Sequence, residues 1–405
     1  MAAEASLEKP FSKEHVFAEL QNIATWWASI PLDHKNGGFV GEVTYNGRPV
    51  VESNKGVILN SRILWFFSEI ALFTPTETYN DMAKRAFDWI SEFLHDKEYG
   101  GMYWEVSAIG RLTNGKKQTY AQCFCIYALS RYYALTEDSK ALQLAMECFE
   151  LVEANARDSE YGGYIEACTQ TWGSITDFRL SDKDLNCPKS MNTHLHVLEA
   201  YAALYRVNPS NVVKEALSHV IQVFLENIVT ADRKHLTLFF DATWNPISDA
   251  VSFGHDIEAS WLLHEAVTIL NEPAIAAEAE PVILGLAESC LNKGIAPQGY
   301  VCDEYLPAPN HRNEVSFWWV QAEALVGFLN AYTLTQNEEF LIACNPIWAF
   351  IQRHHIDYDH GEWHWRANCH DLSGIKEYKA GFWKAPYHNG RAMMELCRLF
   401  NQIGY

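Results

Sequence analysis

Asp33-His34-Lys35-Asn36-Gly37-Gly38-Phe39 recurs along the chain as Asp96-Lys97-Glu98-Tyr99-Gly100-Gly101-Met102. It recurs again as Asp158-Ser159-Glu160-Tyr161-Gly162-Gly163-Tyr164, and the copies stand 63 and then 62 residues apart. Weaker echoes follow at Asp232-Arg233-Lys234-His235-Leu236-Thr237-Leu238 and at Asp357-Tyr358-Asp359-His360-Gly361-Glu362-Trp363. These two are 125 residues apart, two periods, which puts a missing member near Pro297-Gln298-Gly299-Tyr300. Six units result, and self-similarity at a fixed period signals a repeat architecture.

Within each unit the Asp…Gly-Gly stretch is turn chemistry, and a short alternating segment such as Met102-Tyr103-Trp104-Glu105-Val106 follows it, predicting a β-hairpin. Between hairpins lie paired helical patterns with i, i+3, i+4 apolar spacing. They cover 59–73 with 79–94, 120–135 with 140–155, 191–205 with 211–228, 255–270 with 274–291 and 315–332 with 338–353. One helix remains at each end, 14–28 and 387–400, and pairing these two closes a ring. An open solenoid would expose its end helices, whereas a closed toroid buries them. The expected fold is therefore all-α, an (α/α)6 barrel of six helix pairs with short β-hairpins in the connecting loops. Residues 1–10 are expected to be a flexible N-terminus and 11–405 one catalytic domain.

Composition narrows the function classes. Over 405 residues, 48% are apolar and 13% aromatic, ample for a large core and incompatible with a disordered or collagen-like chain. Thirty-one basic against 51 acidic residues leave a net charge of −20, which repels phosphate backbones and anionic headgroups. No nucleic-acid or membrane partner is expected. No apolar run approaches the roughly 20 residues that span a bilayer, and the first ten residues carry charges where a signal peptide has its apolar region. Ten cysteines lie scattered without a C-x-x-C pair, as in the reduced, buried thiols of a cytoplasmic protein. A monomer or weak homodimer is expected.

The helix after each hairpin begins with polar or large aromatic residues where an inner helix should be apolar. The clusters are Asn60/Arg62, Tyr120/Gln122, Asn192/His196, His255/Glu258, Trp319/Glu323 and His388/Asn389/Arg391. In a toroid these helix ends converge on one mouth. Asn192 and His196 are spaced i, i+4, and His255, Glu258 and Trp261 step by three, so each set shares a face. His194, two residues before His196, must point elsewhere. Buried polar groups cost free energy unless paired. This many inward groups need one another or a polyhydroxylated ligand, and Tyr120, Trp319 and Trp383 offer stacking surfaces for sugar rings. A lone histidine on an apolar helix is commonly a hydrogen-bonded core residue, and that reading holds for His194, His264, His354 and His355. Trp65, Trp318 and Trp348 read as core packing, and Arg62 could simply pair with Glu69.

Other motifs fail. Gly110 to Lys117 resembles a phosphate-binding loop but ends in Lys rather than Ser or Thr, and His360-Gly361-Glu362-Trp363-His364 lacks the H-E-x-x-H order. Neither a G-x-G-x-x-G nor a G-x-S-x-G is present.

The segments around Gly37-Gly38-Phe39-Val40-Gly41, Leu59-Asn60-Ser61-Arg62-Ile63-Leu64-Trp65 and Met191-Asn192-Thr193-His194-Leu195-His196 carry a family resemblance. Ser252-Phe253-Gly254-His255-Asp256-Ile257-Glu258, Trp318-Trp319-Val320-Gln321-Ala322-Glu323 and Trp383-Lys384-Ala385-Pro386-Tyr387-His388-Asn389-Gly390-Arg391 extend it in order. Together they resemble the acylglucosamine 2-epimerase superfamily, and within it the cellobiose 2-epimerases. The resemblance runs from Trp26 to Arg391. It implies an (α/α)6 barrel and reversible epimerisation at C2 of the reducing-end glucose of β-1,4-linked disaccharides: cellobiose, lactose, mannobiose.

It implies His255 and His388 as the acid/base pair and His196 as a third active-site histidine. Arg62, Tyr120, Asn192 and Glu258 would bind the reacting sugar, Trp319 and Trp383 would stack, and Glu323 would stand beside them. Trp319 is preferred to Trp318 because it shares a face with Glu323. Asp184 is expected to bind the second sugar. The chemistry suits histidines: opening the ring takes a proton from O1 and gives one to O5, and the C1 carbonyl then acidifies the C2 proton, whose loss gives an enediolate. His388 is expected to take the C2 proton and His255 to manage ring opening with Glu258, while Arg62 and Asn192 stabilise the oxyanion. No cofactor or metal is expected.

The alternatives are an aldose–ketose isomerase for monosaccharides or an N-acylglucosamine 2-epimerase of the same superfamily. A glycoside hydrolase would use Glu258 and Glu323 as paired carboxylates. A non-catalytic sugar-binding toroid is the third class.

Overall fold

The computed structural model describes residues 8–181, 184–308, 310–367 and 377–404. Twelve α-helices occur among them: α1 (Lys13–Trp27), α2 (Val57–Phe73), α3 (Glu77–Trp89), α4 (Thr119–Thr136), α5 (Ser139–Asn155), α6 (Met191–Val207), α7 (Asn211–Val223), α8 (Phe253–Leu270), α9 (Pro273–Ser289), α10 (Trp318–Thr335), α11 (Glu338–Phe350) and α12 (His388–Ile403). The even-numbered helices touch in succession, α2 to α4 to α6 to α8 to α10 to α12, and α12 returns to α2. The odd-numbered helices pack outside them, α1 against α12. This is a closed (α/α)6 barrel. Inner helices α2, α8 and α10 are apolar nearly all round, as helices buried on every side must be; fifteen consecutive residues of α2, Val57 to Ala71, are buried.

All six hairpin units are present, each as a single antiparallel bridge: Leu32 with Phe39, His95 with Met102, Arg157 with Tyr164, Val229 with Leu236, Ile295 with Val301 and Ile356 with Trp363. The fifth, around Pro297 to Tyr300, is the degenerate member that the period demanded. The turns need glycine. Gly100 and Gly101 sit at φ of 73° and 70°, and a Cβ on Gly101 would lie 2.7 Å from the Trp172 ring and 2.9 Å from Gln122 Oε1.

Two repeated devices hold the hairpins, and neither was visible in the local pattern. In the first, a lysine just before the inner helix reaches back to the opening aspartate. Lys55 Nζ lies 2.8 Å from Asp33, Lys117 Nζ 2.8 Å from Asp96 and Lys189 Nζ 2.7 Å from Asp158, and each also donates to the carbonyl of the first turn glycine. The lysine pairs hold Asp33, Asp96 and Asp158 below the usual carboxylate range against the opposing effect of burial.

In the second, a polar residue on the inner helix clamps the bridge residue. Gln122 Oε1 accepts from Met102 N at 2.8 Å and its Nε2 donates to Met102 O at 2.9 Å. Gln321 does the same to Val301, both bonds at 2.8 Å. His194 Nε2 accepts from Tyr164 N at 2.8 Å, and Asp256 Oδ1 accepts from Leu236 N at 3.0 Å. Asn389 acts through Glu362, whose Oε1 accepts from both Asn389 Nδ2 and Trp363 N. Gln122 and Asn389, grouped in the sequence with the mouth clusters, are therefore frame residues, and Asn60 likewise bonds its own helix start, donating to Gly56 O at 2.8 Å.

Replacing Gln122 by Leu strands both buried groups of Met102 and should cost about 1–3 kcal/mol. A lower denaturant midpoint with catalytic constants unchanged in the folded fraction is expected; an unchanged midpoint would remove the clamp from this account.

Four outer helices end differently from the continuous α-helix that periodicity predicts. Their last turns, Ile90–Leu94, Phe224–Ile228, Cys290–Gly294 and Ile351–His355, widen to π-helix. At three of them the next residue bonds five back, His95 N to Ile90 O, Val229 N to Phe224 O and Ile356 N to Ile351 O, and at all four that next residue is the first partner of the hairpin bridge. The wide turn swings the chain from helix axis to strand. Residues 1–7 of the expected flexible terminus lie outside the described residues, while Lys9 N donates to Gln352 Oε1 at 2.9 Å.

Candidate active site

The mouth lies where the inner helices begin, and its chemistry is organised around one buried guanidinium. Arg391, 1% exposed on α12, sends Nη2 to Glu258 Oε1 at 2.8 Å and to Glu323 Oε1 at 2.7 Å, while Nη1 bonds Glu199. The Tyr387 hydroxyl donates to Glu199 at 2.6 Å, and the Arg391 plane stacks over the Tyr387 ring at 4.0 Å. Glu199 is held down to about 2, because Arg391 and the bond from His196 outweigh its burial. Glu258 is pushed well up by burial and by the neighbouring Glu323 charge, so a proton stays on this crowded pair.

His388 sits beside that cluster. Its Nδ1 is 2.6 Å from Glu323 Oε1 and 3.8 Å from Glu258 Oε1. Donation from Nδ1 to the carboxylate fixes the tautomer and leaves Nε2 with a free lone pair. Burial, with Arg62 and Arg391 adding to it, holds the imidazole well below its ordinary range.

His255 is half-buried at the start of α8, its Nδ1 2.7 Å from Ser252 Oγ. Burial chiefly, with His196 adding, holds it down to about 3. Both imidazoles are thus neutral bases, where sequence reasoning expected groups titrating near neutrality; the difference comes from desolvation, reinforced by Arg62 and Arg391 at His388 and by His196 at His255. Trp319 packs against both, its ring 4.8 Å from that of His255 and 5.6 Å from that of His388. Trp318 is buried against Trp365 at 4.7 Å, its ring 6.1 Å from that of His388.

A second arm carries Arg62, whose Nη1 donates to Trp383 O at 2.9 Å and Nη2 to the Tyr120 hydroxyl at 2.8 Å. The Arg62 head lies over the Phe124 and Tyr387 rings. Tyr120 meets His196 edge-on at 4.8 Å, and His196 Nδ1 bonds Glu199 at 2.9 Å. Trp383 stands 6.1 Å from Tyr120 and 5.9 Å from Trp104. Asn192, Asp184 and His255 line one small cavity of about 70 Å³ with Phe178. Asp184 Oδ2 accepts from Ser181 N and Oγ, both at 2.7 Å, which ties the loop to itself.

All eleven residues singled out in the sequence therefore fall in one connected region. Glu258 turns to Arg391 and the His388 side, not to His255 as expected. Sequence reasoning placed Arg391 in a mouth cluster without a role, and left out Glu199 and Tyr387 of the floor, Trp104 and Trp365 as aromatic walls, and Asp303 behind Ser252. Of those left out, Glu199 had a readable signal, its i, i+3 spacing to His196.

Among the described residues, Glu258, Glu323 and His388 offer donor atoms within 4.8 Å of one another, the spacing of a metal trio. The Arg391 guanidinium already bonds both carboxylates there, and its charge opposes a cation. Below the floor a second cavity of about 380 Å³ opens between the far ends of the inner helices, bordered by Trp65, Tyr127, Asn330 and Glu395, with Glu199, Trp261 and Arg391 as the partition.

The family profile described as N-acylglucosamine 2-epimerase (GlcNAc 2-epimerase) matches residues 37–392. The chain belongs to the N-acylglucosamine 2-epimerase family. Among curated members it is 41% identical to the cellobiose 2-epimerase of Bacteroides fragilis, over 92% of this chain and 95% of that one. It is 34% identical to the cellobiose 2-epimerase of Dictyoglomus turgidum, over 95% and 98%. The solved cellobiose 2-epimerase of Bacillus thermoamylovorans superposes with a TM-score of 0.90 at 34% identity, over 95% and 98% of the two chains. Membership in this family makes the protein a carbohydrate epimerase, an isomerase.

Proposed function

We propose that the protein reversibly epimerises C2 of the reducing-end glucose of cellobiose and related β-1,4-linked disaccharides. The observation that carries this is the pair of imidazoles, His255 and His388, that both pack against the Trp319 ring at the mouth. The 34–41% identity to cellobiose 2-epimerases supports the disaccharide. His255 opens the ring by moving a proton from O1 to O5. His388, with Nδ1 committed to Glu323, takes the C2 proton through Nε2 and, after exchange with solvent and rotation about C2–C3, returns a proton to C2. Arg62 and Asn192 stabilise the enediolate oxygen, acting through preorganised dipoles and charge. Trp319, Trp383 and Trp104 stack on the sugar faces, and Asp184 meets the second ring.

The hydrolase alternative needs two carboxylates about 5–9.5 Å apart across a glycosidic bond. Glu258 and Glu323 instead converge on one guanidinium nitrogen at 2.8 and 2.7 Å, which argues against it.

Residues 11–405 act as one catalytic unit without metal or organic cofactor, as a monomer or weak homodimer. A reducing, cytoplasmic setting agrees with nine described cysteines that are all unpaired and buried. Among the described residues no helix is long and apolar enough to cross a membrane.

The test is incubation with cellobiose in deuterium oxide plus EDTA, followed by NMR. Glucosyl-mannose carrying deuterium at C2, at a rate EDTA does not change, is the expected result. Glucose release, or turnover only of monosaccharides or N-acetyl sugars, would overturn it.

A further inference from the structure

His255 has a chain of partners that no step above uses. Ser252 Oγ lies 2.7 Å from His255 Nδ1 and 2.6 Å from Asp303 Oδ1. The backbone holds this line rigidly. The two-residue strand Val251–Ser252 pairs with Glu304–Leu306, and Phe253 N donates to Asp303 O at 2.7 Å. Gly254 N–H also donates to the Asp303 carboxylate, and a Cβ at Gly254 would come within 2.9 Å of Asp303 Oδ1 and 2.6 Å of Trp319. Glycine thus lets the acid approach the head of α8. On the other side of the ring, His255 Nε2 has no hydrogen-bond partner among the described residues and is left for the substrate.

We propose that Ser252 and Asp303 form a proton relay behind His255, letting this one imidazole carry a proton from O1 to O5 of the sugar without becoming an imidazolium. The inference rests on the assignment of ring opening to His255. In the first half, the O1 proton moves to Nε2, the Nδ1 proton to Ser252 Oγ, and the Ser252 hydroxyl proton to the Asp303 carboxylate. Negative charge leaves Asp303 and appears on O1. O1 then forms the C1 carbonyl as the C1–O5 bond breaks and O5 departs with the electron pair. In the second half, Nε2 gives its proton to O5 while Asp303 returns its proton through Ser252 to Nδ1. One O–H bond breaks, one forms, and the relay is reset with no external acid or base.

The electrostatics agree. With His255 held down to about 3, an imidazolium intermediate is costly at neutral pH. Asp303, pushed up to about 6 by burial and by Glu304 and Asp256, takes a proton far more readily than an ordinary aspartate. Ser252 and Asp303 touch no substrate; they are positioning residues that act through His255.

Ring opening has its own readout, the enzyme-catalysed interconversion of α- and β-cellobiose followed by polarimetry. This exchange needs no proton transfer at C2, so it reads His255 and its partners apart from the C2 step. Asp303→Asn and Ser252→Ala should each slow it by about 10- to 100-fold with KM nearly unchanged. The double variant should be no slower than either single one, because the two act as a unit. Wild-type anomer exchange in Asp303→Asn, or losses that multiply in the double variant, would overturn the relay. Anomer exchange surviving in His255→Ala would instead overturn the role given to His255, so the two failures are distinct. If either relay variant loses the native circular dichroism spectrum, the proton inventory of the wild-type exchange decides. Curvature from several protons in flight is expected, and a straight line overturns the relay.

Discussion

Replacing His388 by Asn should lower kcat for cellobiose by about 10²–10⁴-fold and abolish deuterium uptake at C2, with KM moving only a few-fold. The amide nitrogen of Asn can still donate to Glu323, replacing the 2.6 Å bond of Nδ1, so the carboxylate cluster keeps its partner. What disappears is the Nε2 lone pair, the only feature of His388 that removes a proton. Asn therefore separates the base from the scaffold, which Ala would not. If C2 exchange persists in this variant, the base is another group, and His255 or His196 takes its place. If activity falls only together with stability, His388 is part of the frame.

The second large effect concerns Arg391. Methionine there has similar length but leaves Glu199, Glu258 and Glu323 buried without their cation. Removing one partner of a buried ion pair typically costs about 3–5 kcal/mol, and three carboxylates share this one. Arg391→Met should therefore show a much lower denaturant midpoint at neutral pH and no turnover. The deficit should narrow in acid. In the wild type Glu199 sits near 2, below its unfolded value of 4.5, so its stabilisation is full above 4.5 and is lost as pH falls toward 2. In the variant the carboxylates lie above 4.5, so their penalty is present at neutral pH and vanishes as they protonate. Lysine at 391 restores charge but not the fork that meets Glu199 with one nitrogen and Glu258 and Glu323 with the other, and should recover stability only in part. A deficit that stays constant between pH 7 and 4 would contradict this account.

Much of this molecule could be read before any coordinates. The Asp…Gly-Gly turns fall at a fixed period because each needs glycine at positive φ, and such a need is local and shows in sequence. The helix pairs were legible for the same reason, since the apolar spacing that marks them is local. The mouth was legible because Arg62, His196, Glu258, Glu323 and Arg391 are polar where an inner helix should be apolar. What stayed hidden is what only closure creates. Lys55 finds Asp33 across a folded hairpin, and Asp303 reaches Ser252 only because two strands 51 residues apart pair. Gln122 and Asn389 misled for a physical reason: a clamp and a site residue are equally polar and differ only in direction.

That direction follows a rule with an evolutionary consequence. Clamp and pocket positions stand two apart on four inner helices: His194 and His196, Asp256 and Glu258, Gln321 and Glu323, Asn389 and Arg391. Residues i and i+2 on a helix do not share a face. One set faces the hairpin it anchors, and the other faces the cluster at the mouth. Mutations in the pocket set therefore leave the hairpin anchors in place, and their cost falls on the Arg391 ion cluster instead. A lineage built this way can exchange pocket residues in compensating groups while every hairpin stays fastened to its helix.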